Sequence, residues 1–139
     1  MTGFLLDTNV VSELRKRERA DANVLRWLDE HTGAEFWLSV LVVGELRRGV
    51  ELFARRDKTA ATKLRTWLDS TISGYADRLL PITVEICERW ALLAVPHPVP
   101  VVDGLLAATA LEHDLTLVTR NIADVDRTGV PVVNPFVAS

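Results

Sequence analysis

The sequence predicts an α/β fold, a parallel sheet of about five strands with helices on both faces, and three observations carry that reading. Apolar runs of strand length alternate with amphipathic stretches of helix length. Several of these runs stop at a residue suited to capping a helix. The 139 residues, 48% hydrophobic and 25% charged, contain no repeat, low-complexity tract or linker, so one domain spanning 1–139 is expected. Alternating strands and helices close into right-handed βαβ units, and such a sheet binds its ligands at the carboxyl ends of its strands.

Phe4-Leu5-Leu6 reads as a buried strand feeding, through Asp7-Thr8-Asn9, a helix over 8–19. Asp21 to His31 is the next helix, with Val24, Leu25 and Leu28 on one face and Gly33 as its stop. Phe36-Trp37-Leu38 is a second strand, and Ser39 caps a helix over 40–54 whose stripe is Val42, Leu46, Val50 and Phe53. Residues 59–76 form a helix around Leu64, Trp67, Leu68 and Ile72, followed by a brief strand at Leu79-Leu80. Thr83 caps a helix carrying Ile86, Trp90 and Leu93. Pro96, Pro98 and Pro100 forbid helix across 95–101, so an extended connection delivers Val101-Val102 to Asp103, which opens a helix from Gly104 to His113. Leu115 to Thr119 and Pro131-Val132-Val133 are the last two strands.

Composition narrows the class of function. A lone cysteine, Cys87, allows no intrachain disulfide and fits a reducing compartment, with the cytoplasm as the default. The opening residues lack the basic region and apolar length of a secretion signal, and no run of about 18 apolar residues is present to cross a membrane as a helix. A net charge of −3 argues against bulk coating of nucleic acid. Locally the picture differs. Residues 45–65 hold seven basic side chains against three acidic ones, whereas 66–139 balance at −5, so a basic segment sits on an acidic body.

The chain has no G-x-G-x-x-G, no P-loop, no G-x-S-x-G and no C-x-x-C, which removes the usual signatures of nucleotide cofactors and of serine or cysteine hydrolases. His31, His97 and His113 lie far apart and read as solvated or structural, and Cys87 beside Ile86 reads as packing. The acidic residues remain. Asp7, Asp103 and either Asn121 or Asp124 follow predicted strands and so gather at one edge of the sheet. Glu45 sits about 60° from Val42 around its helix and can reach inward. Each has a plain structural alternative: Asp7 and Asp103 as helix caps, Glu45 as a surface partner of Arg47 or Arg48. Three converging carboxylates repel one another in a partly desolvated cleft, and an all-oxygen ligand set favours Mg²⁺ or Mn²⁺ as the neutralising ion.

Three segments resemble the PIN-domain ribonucleases, and among them the VapC and FitB type toxins. Leu5 to Glu13 is similar to that family's first strand and first metal-binding Asp. Leu38 to Gly49 is similar to its second acidic helix, and Val102 to Ala110 with Leu117 to Asn121 to its third Asp and the following strand. Asn134-Pro135-Phe136 fits the family's close. The resemblance implies a three-layer α/β/α sandwich and a divalent-metal-dependent endoribonuclease that cleaves RNA with a metal-activated water, leaving 5′-phosphate and 3′-hydroxyl ends.

It also implies toxin homodimers, a higher toxin–antitoxin assembly and a small antitoxin that blocks the acidic cleft, for which Val10, Val11, Leu14, Leu41 and Val42 are expected to offer an apolar groove. By position it makes Asp7, Glu45 and Asp103 the acidic core, with Asn9 and Thr119 orienting the carboxylates. The chain departs at the fourth acidic position, where Asn121 stands in place of the Asp of some members and Asp124 lies three residues on. Arg47, Arg48, Arg55 and Arg56 are the expected RNA contacts. A haloacid-dehalogenase-like phosphatase would need an Asp where Asn9 stands, and a catalytically inactive interaction domain of the same fold is the remaining alternative.

Overall fold

Strand β1 (Gly3–Leu6) lies at the middle of a five-stranded sheet in the computed structural model, which describes residues 3–138. The other strands are β2 (Glu35–Ser39), β3 (Leu79–Leu80), β4 (Thr116–Val118) and β5 (Val132–Val133), in the order β3-β2-β1-β4-β5, and every pair is parallel. Among the described residues six α-helices flank the sheet and complete an α/β/α sandwich: α1 (Thr8–Leu14), α2 (Ala22–Glu30), α3 (Val40–Ala54), α4 (Lys58–Gly74), α5 (Val84–Ala94) and α6 (Val101–Glu112). A central parallel strand is covered on both faces, which is why Phe4, Leu5 and Leu6 are all apolar and all buried.

Caps fix where the helices begin. The Ser39 hydroxyl accepts from the Leu41 N–H at 3.0 Å and the Thr83 hydroxyl from that of Ile86 at 3.2 Å, both at the predicted positions. Asp21 accepts from the Asn23 and Val24 N–H groups, and Gly33 reverses the chain after α2 with φ +92°.

Several expectations are corrected. The first helix ends at Leu14 rather than running to residue 19, because Arg17 turns to φ +56° and Glu13 folds back to accept from the Asp21 N–H at 2.8 Å. On α2 it is Val24 that is buried, with Trp27 packed edge-on against Phe4, while Leu25 and Leu28 border a shallow surface groove. On α3 the buried stripe ends in Ala54, and Phe53 lines a surface groove. Cys87 is exposed, since it lies about 100° around α5 from the buried Ile86. Helix α6 starts at Val101, two residues before Asp103, and Pro100 occupies its N-cap without a side-chain bond. Proline's fixed φ suits the entry to a helix as well as it suits an extended run.

Gly104 lets α6 approach α5. A Cβ at that position would stand 2.9 Å and 3.0 Å from two ring atoms of Trp90, and a rigid indole cannot yield by a bond rotation at its tip. Gly104→Ala should therefore destabilise the domain by about 1–3 kcal/mol despite the better helix propensity of alanine, as a thermal melt would show.

Candidate active site

Asp7 leaves the carboxyl end of the central strand and is only 4% exposed. Its Oδ1 accepts from the Thr8 N–H at 2.7 Å, while Oδ2 accepts from the Thr119 hydroxyl at 2.7 Å and the Asn9 amide at 3.3 Å. Asn9 in turn accepts from the Arg120 N–H at 3.1 Å, and Thr119 accepts from the Asn121 N–H at 3.0 Å. The ends of β1 and β4 are thus stitched around one carboxylate. This is the geometry in which a buried acid is held in a single orientation.

Glu45 comes from the second turn of α3 and is exposed. It pairs with neither Arg47 nor Arg48; its Oε1 accepts from the Thr8 hydroxyl at 2.5 Å. Thr8 therefore links the second acid to the residue beside the first, a role that its place between Asp7 and Asn9 hid among capping residues. Asp103 is half-buried, lies inside the first turn of α6 rather than at its cap, and has its carboxyl pushed up from 3.8 to about 6. Burial is the largest cause, followed by the negative charges of Asp7, Asp124 and Glu45. Of the two candidates for the fourth position, Asp124, ending the short 3₁₀ turn Ile122–Asp124, is the one whose negative charge acts on Asp103. Asn121 is exposed, with its backbone N–H held on Thr119.

Asp103, at the start of α6, therefore feels the negative charges of Asp7, Asp124 and Glu45 from beyond the carboxyl ends of the strands. Among the described residues no three His, Cys, Asp or Glu side chains are grouped closely enough to hold an ion by themselves. The donor set is all oxygen and open, which is the form suited to a hard cation that keeps several waters and shares its shell with phosphate.

The basic segment divides. Arg47 is tied to Asp69 at 2.5 Å and Arg65 forks onto Glu51 at 2.8 Å through two nitrogens, so both brace α3 against α4. Arg56 leans over the Phe53 ring, and Arg48 and Arg55 are exposed. Beside them lies a groove of about 880 Å³ lined by Arg15, Leu52, Phe53, Ala60, Lys63 and Leu64. Of the residues expected to offer an apolar groove, Val10, Val11 and Val42 are buried in the core and Leu14 and Leu41 are partly buried against it, while the groove described here lies farther along α3. His31 is structural, its Nδ1 2.6 Å from the Trp27 carbonyl oxygen, and His97 and His113 are exposed.

A parallel five-stranded sandwich with acidic side chains beyond the carboxyl ends of its strands defines an α/β class with an acidic edge. More particularly, the chain belongs to the PIN domain family, whose model matches residues 4–129. It is 34% identical over 138 residues to the toxin FitB of Neisseria gonorrhoeae, covering 96% of this chain and 98% of that one. It superposes on the crystal structure of FitAcB from the same organism at 34% identity with a TM-score of 0.85, over 96% and 98% of the two chains. The VapC ribonuclease Y4jK of Sinorhizobium fredii is 32% identical over 143 residues, covering 96% and 97%. A toxin–antitoxin complex from Klebsiella pneumoniae is similar at 26% identity and a TM-score of 0.66, covering 94% and 96%. No helix among the described residues is long and apolar enough to cross a membrane.

Proposed function

We propose that this chain is the toxin of a toxin–antitoxin pair and acts in the cytoplasm as a Mg²⁺- or Mn²⁺-dependent endoribonuclease. The observation that carries the reading is geometric: Thr119 and Asn9 fix the buried Asp7 at the end of the central strand while Thr8, next to Asp7, holds Glu45, and Asp103 at the start of α6 is raised by burial first and then by the charges of Asp7, Asp124 and Glu45. The similarity to proteins named as a toxin and as a ribonuclease supports it.

Asp7 and Asp103 would hold the ion, with Glu45 and Asp124 completing its surroundings. A bound divalent ion supplies charge neutralisation and a lowered pKa for nearby water, which is what in-line hydrolysis of a phosphodiester needs. Thr119 and Asn9 keep Asp7's second oxygen aimed, and Thr8 keeps Glu45 within reach of the same cleft. Hydrolysis leaves a 5′-phosphate and a 3′-hydroxyl, with no covalent bond to the protein.

The groove along α3 and α4 has an apolar floor edged by three basic residues, Arg15, Arg56 and Lys63, against one acid, Asp57, and suits an amphipathic antitoxin segment with acidic flanks. The exposed Val84, Leu92 and Val95 share one side of α5 and its exit, and that side is where a second copy would pair.

Purified protein should cleave single-stranded RNA with Mn²⁺ or Mg²⁺ and stop in EDTA, with end sequencing reading the expected termini. Cleavage that persists in EDTA, or that yields cyclic phosphate ends, would overturn the proposal. A folded chain that cuts RNA under no metal condition would overturn it in favour of an inactive interaction domain.

A further inference from the structure

Arg120 directly follows Thr119, which donates to Asp7, and its own N–H donates to Asn9 at 3.1 Å. Its backbone is therefore part of the network that fixes the acidic site, yet its side chain makes no ion pair among the described residues. The guanidinium lies instead on Phe136, with Cζ 3.7 Å from the ring centroid. That ring sits on a built platform. The Phe136 N–H donates to the Asn134 side chain at 2.9 Å, its carbonyl accepts from Asn23 at 2.9 Å, and Pro135 is buried. Asn134-Pro135-Phe136, to which neither the acidic cluster nor the hydrolysis gives a purpose, is what holds this guanidinium in place.

A guanidinium stacked by its face keeps its edge donors free, and that edge matches two oxygens of a phosphate. Several arginines elsewhere are engaged within the protein: Arg47 by Asp69, Arg65 by Glu51, Arg89 by Glu112, and Arg78 by the Phe36 and Gly74 carbonyls. Arg120 is exposed, ordered in advance by its stack, and joined through its backbone N–H to the network that holds Asp7, whose acidic neighbours by themselves repel a polyanion. We propose that Arg120, seated on Phe136, binds a backbone phosphate of the RNA strand next to the bond that is cleaved. This rests on the ribonuclease reading above, and it gives the end of β4 a contact that the sequence alone suggests for the basic segment of α3.

The test uses a labelled single-stranded RNA oligonucleotide and two readouts. In an Asp7→Asn background without divalent ion, binding is followed against NaCl concentration; in the wild-type background, cleavage gives kcat and KM. Arg120→Ala should reduce the slope of log affinity against log salt by about 0.7, the value of one phosphate contact on a single strand, and raise KM about tenfold with kcat within about twofold. Arg120→Lys should retain the slope and recover only part of the KM, because an ammonium neither stacks flat nor forks. Phe136→Leu should retain the slope and raise KM by about threefold, since the charge remains but its ordering is lost. An unchanged salt slope in Arg120→Ala, or a loss confined to kcat, overturns the assignment. Should Arg120→Ala fail to fold, the Lys and Leu variants decide by KM, and wild-type KM in both overturns it. If the wild type binds RNA but never cuts it, the nuclease reading fails while the salt slopes still judge Arg120.

Discussion

Asp7→Asn and Asp103→Asn should each reduce RNA cleavage by at least about 100-fold while the protein stays folded. The lower bound comes from groups that merely orient metal ligands, whose loss costs about 10–100-fold, so loss of a ligand itself should cost more. The substitution separates two accounts of the same side chain. Asn caps a helix about as well as Asp, so if Asp7 served only to begin α1, its amide would serve equally through the bond from Thr8. Oδ2 is the side that suffers, because it accepts from both Thr119 and Asn9, and an amide nitrogen there forces the Thr119 hydroxyl to turn. A stability loss of about 1 kcal/mol is the expected accompaniment. For Asp103 no capping account survives, since α6 begins two residues earlier. Normal melting with normal cleavage in either variant would remove that residue from the chemistry.

Thermal stability should respond to Mn²⁺ and to pH in opposite senses at Asp103. With its carboxyl raised from 3.8 to about 6, the native state holds a proton that the unfolded chain has released across that window. Stability contributed by this group is therefore complete below about pH 4 and is lost as pH rises through about 6. Without divalent ion, Asp103→Asn should be more stable than wild type at about pH 7.5, by about 1 kcal/mol once solvent screening of a half-exposed group is allowed for, and equal to it near pH 4. Adding Mn²⁺ reverses the order. An ion bound only to the native state stabilises it by about 2.7 kcal/mol at a hundredfold excess over Kd, and the variant should gain much less. Calorimetry at the two pH values, with and without Mn²⁺, measures both effects; equal Mn²⁺ shifts in the two proteins would take Asp103 out of the ion's surroundings.

The strands and caps are legible in the sequence because each is a local signal. A few consecutive apolar residues ending near Ser39 or Thr83 specify a strand and then a helix start without reference to anything distant. Asp7 is legible for the same reason, standing where an apolar run meets a helix. Local pattern does not supply the side to which a residue on the edge of a stripe will fall. Cys87 and Phe53 both border buried stripes, and packing leaves one exposed and the other lining a groove. The start of α6 falls earlier than expected because three alternate prolines constrain φ without choosing between an extended run and a helix entry. At the site, spacing does not separate Asn121 from Asp124; only the turn over Ile122–Asp124 brings the Asp124 charge to bear on Asp103. Thr8 meets Glu45 across 37 residues and Arg120 meets Asn9 across 111, ranges that no local window of sequence spans.

Because β1 sits at the centre of the sheet, the surroundings of Asp7 cannot be completed before β4 has been synthesised. The Asp7 carboxylate is oriented by a hydroxyl 112 residues later in the chain, just past β4, so the strand that carries Asp7 leaves the ribosome long before the strand that completes its surroundings. Pairing across such a separation is slow to form, and a nascent chain that has not yet released β4 has β1 without one of its two neighbours and Asp7 without Thr119. A chain broken off before Thr116 by stalled synthesis or proteolysis would carry Asp7, Glu45 and Asp103 and still lack the partner that holds the first of them in place. On the ribonuclease reading proposed above, cleavage therefore has to wait until the chain has been made through Thr119, since only then can Asp7 be held in its orientation.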